Sequence, residues 1–312
     1  MTVMQAFVKL GRVLLTQSRG AWAMAAGVAV MLFGTVGAGP AYAVLVDSGD
    51  WVAPIPGVDL GFVYQQHASR SRVYADGKEV LSNANLTSDI TLLRYVHPVS
   101  VNGYVVSPNV LLPLGTLRAG GNLAANGRTS GVGDLIFACP TWVVNNPQTR
   151  TFFGFLPFVF FPTGDYDKNR PLNLGENRWK GAFQVGGMHG LGKDFSLELT
   201  GDVTWYGKNT QYGAASAILK QNPLYMVHGY LNWHYSPATT FALGAARTEG
   251  GTTSVNGVSM NDETRTLQGF LVASTFIDQR TQLIFAAGRD LSVRNGLKED
   301  GRLNFRFLRV LP

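Results

Sequence analysis

Asp194–Tyr206, DFSLELTGDVTWY, decides how the chain is read. Phe195, Leu197, Leu199, Val203 and Trp205 share one parity, with Gly201 among them, while Ser196, Glu198, Thr200, Asp202 and Thr204 share the other. A period of two over this length specifies a strand with one apolar and one polar face. Strands of soluble proteins average about 5–6 residues, whereas a tilted strand that crosses a bilayer needs about 9–11. The segment has the length of a membrane-spanning strand.

The same alternation recurs on both sides. Tyr225, Val227, Leu231, Trp233 and Tyr235 alternate with Met226, His228, Tyr230, Asn232 and His234. Arg265–Ile277 sets Leu267, Leu271, Ala273 and Ile277 against Thr266, Gln268 and Ser274, and Leu303, Phe305 and Phe307 alternate with Asn304 and Arg306. The pattern predicts twelve strands, near 58–70, 85–97, 99–112, 133–146, 150–162, 179–191, 194–206, 222–236, 238–248, 263–277, 280–293 and 301–311. Short turns are expected at 97–99, 146–149, 191–194, 235–237 and 278–280, and long polar loops near 71–84, 113–132, 163–178, 207–221, 249–262 and 294–300. An even number of strands with short and long connections in alternation predicts an all-β fold. It is a single transmembrane antiparallel up-and-down β-barrel of about 12 strands, with short periplasmic turns and long outer loops. Trp179, Trp205 and Tyr206 near one set of strand ends, and Trp233 and Tyr235 near the other, suit interfacial aromatic girdles.

Composition excludes several alternatives. Only 15% of the 312 residues are charged, Gly numbers 37, and the one Cys rules out an intrachain disulfide. Residues 1–43 carry Lys9, Arg12 and Arg19 and no acid, then the uncharged apolar stretch 21–39, then Ala41-Tyr42-Ala43. That order predicts a secretory signal peptide cleaved after Ala43. An uncleaved anchor is the rival, disfavoured by the Gly-rich second half and the small-residue cleavage site. Removing three positive charges from a net +6 leaves +3, with no basic stripe, so nucleic acid is not an expected partner. The expected organisation is a leader at 1–43, an N-terminal periplasmic segment at 44–57 and a barrel at 58–312, placed in the outer membrane of a Gram-negative cell.

The runs GVGDLIFACPTWVVNN (131–146) and FFGFLPFVFFPTGDYDKNRPLNLGENRWKGAFQVG (152–186) resemble the bacterial outer-membrane family named for a meta-pathway of phenol degradation. The resemblance extends from about Gly61 to Arg309 and is most specific at Pro162–Tyr166 and Leu172–Trp179. It implies a transporter or channel associated with the breakdown of aromatic and other organic compounds. One departure is the chain end: outer-membrane barrels commonly finish on an aromatic residue, and this chain finishes Val310-Leu311-Pro312.

Several residues are candidates for chemistry. Glu198 and Asp202 point into the expected lumen with Ser196 and Thr200, and His228, Asn232 and His234 do likewise on the next strand. They could line a solute path or satisfy one another as a structural network. The loop 162–179 holds Asp165, Asp167, Asn169, Asn173, Glu176, Asn177 and Arg178. Its oxygens could hold a hard cation, but no calcium-loop spacing is present, and a folded loop with its acids solvated or paired to Arg170 and Arg178 is favoured. The loop could also fold inward and constrict the mouth. No G-x-S-x-G, phosphate loop or zinc spacing occurs. A lipase would have to pair Ser196 with His189 or Ser236 with His234, without a motif around either, so no enzyme, cofactor or metal is expected.

The expected function is passive uptake of small organic solutes, apolar or aromatic. Outer-membrane lipid and the barrel-assembly machinery are the other expected partners, with the oligomeric state left open. A structural or adhesion barrel with a plugged lumen is the second class, and for it deletion of 249–262 should weaken attachment.

Overall fold

Alternating side chains commit the chain to strands, and closure of those strands leaves no sheet edge exposed to lipid. The computed structural model describes residues 45–312, so the expected leader, 1–43, lies outside the described residues. Twelve strands form the wall: β1 (Leu60–Ala75), β2 (Ala84–Val96), β3 (Asn109–Gly121), β4 (Ile136–Ala138 with Thr141–Asn146), β5 (Thr151–Phe160) and β6 (Lys180–Leu191), followed by β7 (Phe195–Tyr206), β8 (Leu224–His234), β9 (Thr239–Gly250), β10 (Thr264–Asp278), β11 (Thr281–Val293) and β12 (Gly296–Val310). Each pairs antiparallel with its neighbour in sequence, and β1 pairs with β12 from Leu60↔Val310 to Tyr74↔Gly296, which closes the barrel. Among the described residues no helix is long and apolar enough to cross a membrane.

Burial follows the parity. On β7, Leu197, Leu199 and Trp205 are exposed on the outside, whereas Ser196, Glu198 and Thr200 are buried inside. A soluble protein would do the reverse, and the inversion makes the outer face a lipid-facing belt. The lumen has two unlike sides. Ile136, Ala138 and Trp142 of β4 and Phe152, Leu156, Phe158 and Phe160 of β5 pack together as an apolar inner wall. The facing wall is mixed: Glu198, Thr200, Asn232 and Gln268 are buried there beside a second apolar cluster that includes Met226, Tyr230, Phe270 and Ile284.

Several expected boundaries differ. The strand expected at 99–112 is instead β3, at 109–121, and 99–106 is a separate hairpin (Val99–Val101 and Tyr104–Val106) at the short-turn end. Asn102 and Gly103 between its arms have φ of 50° and 84°. That is the signature of a two-residue hairpin, so the chain reverses at 102–103 rather than at 97–99. Asp76-Gly77 and Asn256-Gly257 make equivalent turns. The expected loop 71–84 is therefore mostly strand, and 207–221 and 249–262 supply a four-stranded sheet beyond the barrel rim. The loop expected at 294–300 shrinks to Arg294-Asn295, because β12 begins at Gly296. Only 163–178 keeps its length without a strand.

The β3–β4 ladder is thin. It holds only Asn109↔Ala138, Val110↔Phe137 and Leu111↔Ile136. Above it β3 pairs with a separate strand, Arg128–Val132, and below it β4 pairs with Val105 and Val106 of the hairpin. Pro113, Pro140 and Pro157 lie around this seam, and a proline offers no N–H to extend a ladder. Their carbonyls still accept, from Gly133, Ser107 and Cys139 respectively.

Candidate functional site

The segment expected outside the barrel, 44–57, runs into the lumen over 45–53. Its side chains and backbone are matched to the polar groups of the mixed wall. Gly49 N–H donates to Glu198 Oε1 at 2.8 Å, Ser48 Oγ donates to Asn232 Oδ1 at 2.7 Å, and Tyr230 Oη donates to the Val46 carbonyl at 3.1 Å. Trp51 Nε1 donates to Thr200 Oγ1 at 2.7 Å, and its carbonyl accepts from Trp142 Nε1 at 2.8 Å. On the far side Arg306 of β12 donates to Asp50 at 2.5 Å and to Asp47 at 3.2 Å, with its side chain only 4% exposed. Arg94 adds a longer contact to Asp50, 3.8 Å. The segment is a plug anchored to walls on both sides of the lumen.

Backbone space was made for it. A Cβ on Gly186 of β6 would stand 2.7 Å from Trp51 Cζ2 and 2.6 Å from the Leu199 carbonyl. Gly186→Leu is expected to drive Trp51 out of its niche, and its indole, now 2% exposed, would meet water. Red-shifted tryptophan emission and new protease cuts within 45–57, in a barrel that stays closed, would be the result to look for.

Above the plug lies a chamber of about 200 Å³. Leu111, Ile136, Leu156, Phe158 and Phe160 form its apolar side, Trp51 and Asp50 its floor, and Glu176 and Lys180 its outer edge. It can take an apolar ring on one side and hydrogen-bond a polar substituent on the other.

The lumen residues singled out in the sequence lie on adjoining strands with the pairs Ser196↔Asn232, Thr200↔His228 and Asp202↔Met226. Asn232 Nδ2 donates to Glu198 at 2.5 Å and to Ser196 at 3.1 Å, so Glu198 and Asn232 are plug anchors. Asp202 keeps one buried carboxylate oxygen without a partner, and His228, 2% exposed, has neither ring nitrogen paired. His234 stands at the short-turn end, its Nε2 2.9 Å from Ser196 Oγ and its Nδ1 3.1 Å from Thr240 Oγ1. The serine–histidine pairing thus differs from both combinations considered in the sequence, and His189 instead faces Thr151 at 3.0 Å.

The outer loop is folded by its own polar groups. Asp165 accepts from Val132 N–H at 2.8 Å, Asp167 from Asn169 N–H at 2.9 Å, and Asn173 from Asp167 N–H at 2.8 Å. Asn177, at φ 52°, reaches Asn209. Glu176 binds Lys180 at 2.5 Å and Arg178 at 2.6 Å, and Arg178 also donates to Gln221 and lies 4.6 Å over the Tyr206 ring. Burial pushes the Glu176 carboxyl up, but the charges and hydrogen bonds of Lys180 and Arg178 outweigh it and hold it at about 2. A lowered carboxylate stabilises the fold above its ordinary value of 4.5, and that stabilisation disappears as pH falls through about 2. Hydrogen-exchange protection of the 163–178 loop is therefore expected to hold from pH 8 to 5 and to collapse between about 4.5 and 2, a change worth roughly 3 kcal/mol.

Sequence reasoning missed the plug and its partners Asp47, Ser48, Gly49, Asp50, Trp51, Arg94 and Arg306. One signal was present: Arg306 sits on the inward parity of its strand, where a buried cation requires an acid.

The model of the family described as "Putative MetA-pathway of phenol degradation" matches residues 69–307. The chain belongs to this phenol-degradation family. An outer membrane channel from Pseudomonas putida F1 superposes with a TM-score of 0.83 at 36% identity, over 86% of this chain and 100% of that one. The β domain of the Bordetella autotransporter BrkA, 8% identical, shares the fold at a TM-score of 0.53, over 82% of this chain and 100% of that one. No curated protein matches. Within the phenol-degradation family the chain is an outer-membrane channel-like barrel, and lipid and small solutes are the partners that such an architecture implies.

Proposed function

We propose that this barrel admits small apolar or aromatic organic molecules passively across the outer membrane, and that it performs no catalysis. The chamber carries the proposal. An apolar wall of Leu156, Phe158 and Phe160 faces charged groups across a space large enough for a single ring. The relative from Pseudomonas putida F1 is described as an outer membrane channel, and the family's description refers to phenol degradation, which supports an organic solute. In this account the loop 163–178 borders the mouth, the chamber holds the solute, and the plug yields to let it pass. Asp202 and His228, with their unpaired buried atoms, would serve a hydroxyl or a water travelling with it.

Conductance of the purified barrel in a planar bilayer tests this, with and without toluene or phenol. Small steps that the solutes block would support the reading. Steps indifferent to them, with no uptake of labelled toluene into cells, would overturn it.

The plug itself favours the second reading, a structural barrel with a closed lumen. Against it stands the chamber, because its apolar side chains line a space of about 200 Å³ that a solidly packed barrel would fill with side chains of its own. The Ser196–His234 pair favours a hydrolase less well. Its Nδ1 faces a hydroxyl instead of a carboxylate, and Ser196 is fully buried.

A further inference from the structure

The outer face of β1–β3 breaks the lipid-facing pattern. On β7–β9 the outward residues are apolar through Leu199, Leu231 and Leu243, and where β9 turns charged at its outer end Arg247 is paired with Glu249. On β3 the outward series begins Val110, Leu112, Leu114 and then turns polar at Thr116 and Arg118. Inward Leu117, fully buried, fixes that parity. Thr116 bonds Ser130 of the neighbouring strand Arg128–Val132 at 2.8 Å, and one rung higher Arg118 stands directly opposite Arg128.

Two like charges facing each other across a ladder oppose strand pairing. Asp89 compensates only in part: it lies 3.6 Å from Arg118, whose side chain is 52% exposed, and already binds His67 at 2.7 Å. Arg128 is exposed and has no hydrogen bond or ion pair among the described residues. The height of the pair is informative. Arg118 is eight residues along β3 from Val110. At about 3.4 Å per residue and a tilt of about 40°, that is roughly 20 Å, near the outer limit of an apolar band about 25 Å tall.

We infer that Arg118 and Arg128 form a site for a phosphate group of the phosphorylated glycolipid in the outer leaflet, whose acyl chains lie against Leu112 and Leu114 below. Guanidinium forks suit phosphate geometry, and an anion between them converts a repulsion into two charge-assisted contacts. The patch faces the membrane side of the wall, which selects a lipid over a free anion. A second copy of the chain is a poor occupant, because a two-fold contact would bring the same arginines together. The inference is independent of what passes through the lumen.

The test is native mass spectrometry of the full-length barrel in detergent, titrated with diphosphoryl lipid A. The wild type is expected to retain the lipid. Arg118→Ala with Arg128→Ala should retain at least tenfold less, and lipid A stripped of phosphate should bind the wild type no better than the intact lipid binds that variant. Heat-modifiable migration verifies closure of the variant. Should it fail to close, Arg118→Lys with Arg128→Lys keeps the charge, loses the forks, and should bind several-fold more weakly. Equal retention by wild type and variants would overturn the assignment. So would displacement of the lipid by millimolar inorganic phosphate, which would make this a free-anion site, or a dimer closing over the face.

Discussion

Arg306→Ala is expected to turn a nearly silent barrel into one with large, steady conductance. The guanidinium is the plug's only cationic anchor within 3.5 Å among the described residues, and it holds both Asp47 and Asp50. Its removal leaves two carboxylates in a site from which water is mostly excluded, a change of about 3–5 kcal/mol for a broken buried pair. Such a loss moves the ratio of seated to released plug by roughly two to three and a half orders of magnitude, because about 1.4 kcal/mol is a factor of ten. Planar-bilayer recording would read this as a rise in both step size and open time. A double-mutant cycle gives the sharper outcome. Replacing Asp47 and Asp50 by Asn in the Arg306→Ala background should restore part of the block, since no uncompensated acid then remains. Unchanged conductance in Arg306→Ala would mean that the hydrogen bonds to Glu198, Asn232 and Thr200 seat the plug alone.

Phe158→Asp should abolish uptake of apolar solutes while the barrel still folds. Phe158 is 7% exposed and lines the chamber, where it stacks on Phe160 at 6.2 Å. An aspartate there replaces apolar contact area with a solvated charge and fills the pocket with water. Loss of one aromatic wall, at about 25 cal/mol per Å² of buried apolar area, lowers solute affinity by roughly 2 kcal/mol, and the retained hydration adds to the loss. Uptake of labelled toluene should fall at least thirtyfold, with heat-modifiable migration unchanged. Ion conductance should stay level or rise, which separates this defect from misassembly.

Much of the fold could be read from β7 and β8, whose strict alternation gives strand, face and register together. The reading failed where local turn chemistry overrides periodicity. Valines at 99, 101, 105 and 106 look like the start of a spanning strand, yet Asn102-Gly103 folds them back, and β3 begins only at Asn109. At Gly296–Asp300 polar residues on a rim strand looked like a loop, because Glu299 and Arg302 satisfy each other and Arg70 in ways that only the closed barrel supplies. The lumen candidates were legible by parity, although their main partners were not. The plug has no period to detect, and each of its bonds to the wall joins positions far apart, such as Gly49 and Glu198, separated by 149 residues. The outer loop's acids could be counted but not assigned, since Glu176 gains its two cations only when the loop is folded.

The plug precedes the first strand, and its strongest charged contact is to the last. Arg306 reaches Asp47 and Asp50 only when β12 has zipped onto β1, where Arg306 pairs with Tyr64. The order of assembly is thereby constrained: the N-terminal segment can lie against β7 and β8 early or late, but its ion pair cannot form until the β1–β12 seam has brought Arg306 into place. The ion pair then acts as a checkpoint on closure. A barrel sealed with its N-terminal segment outside would leave Arg306 buried without its acids, and would be the less stable product.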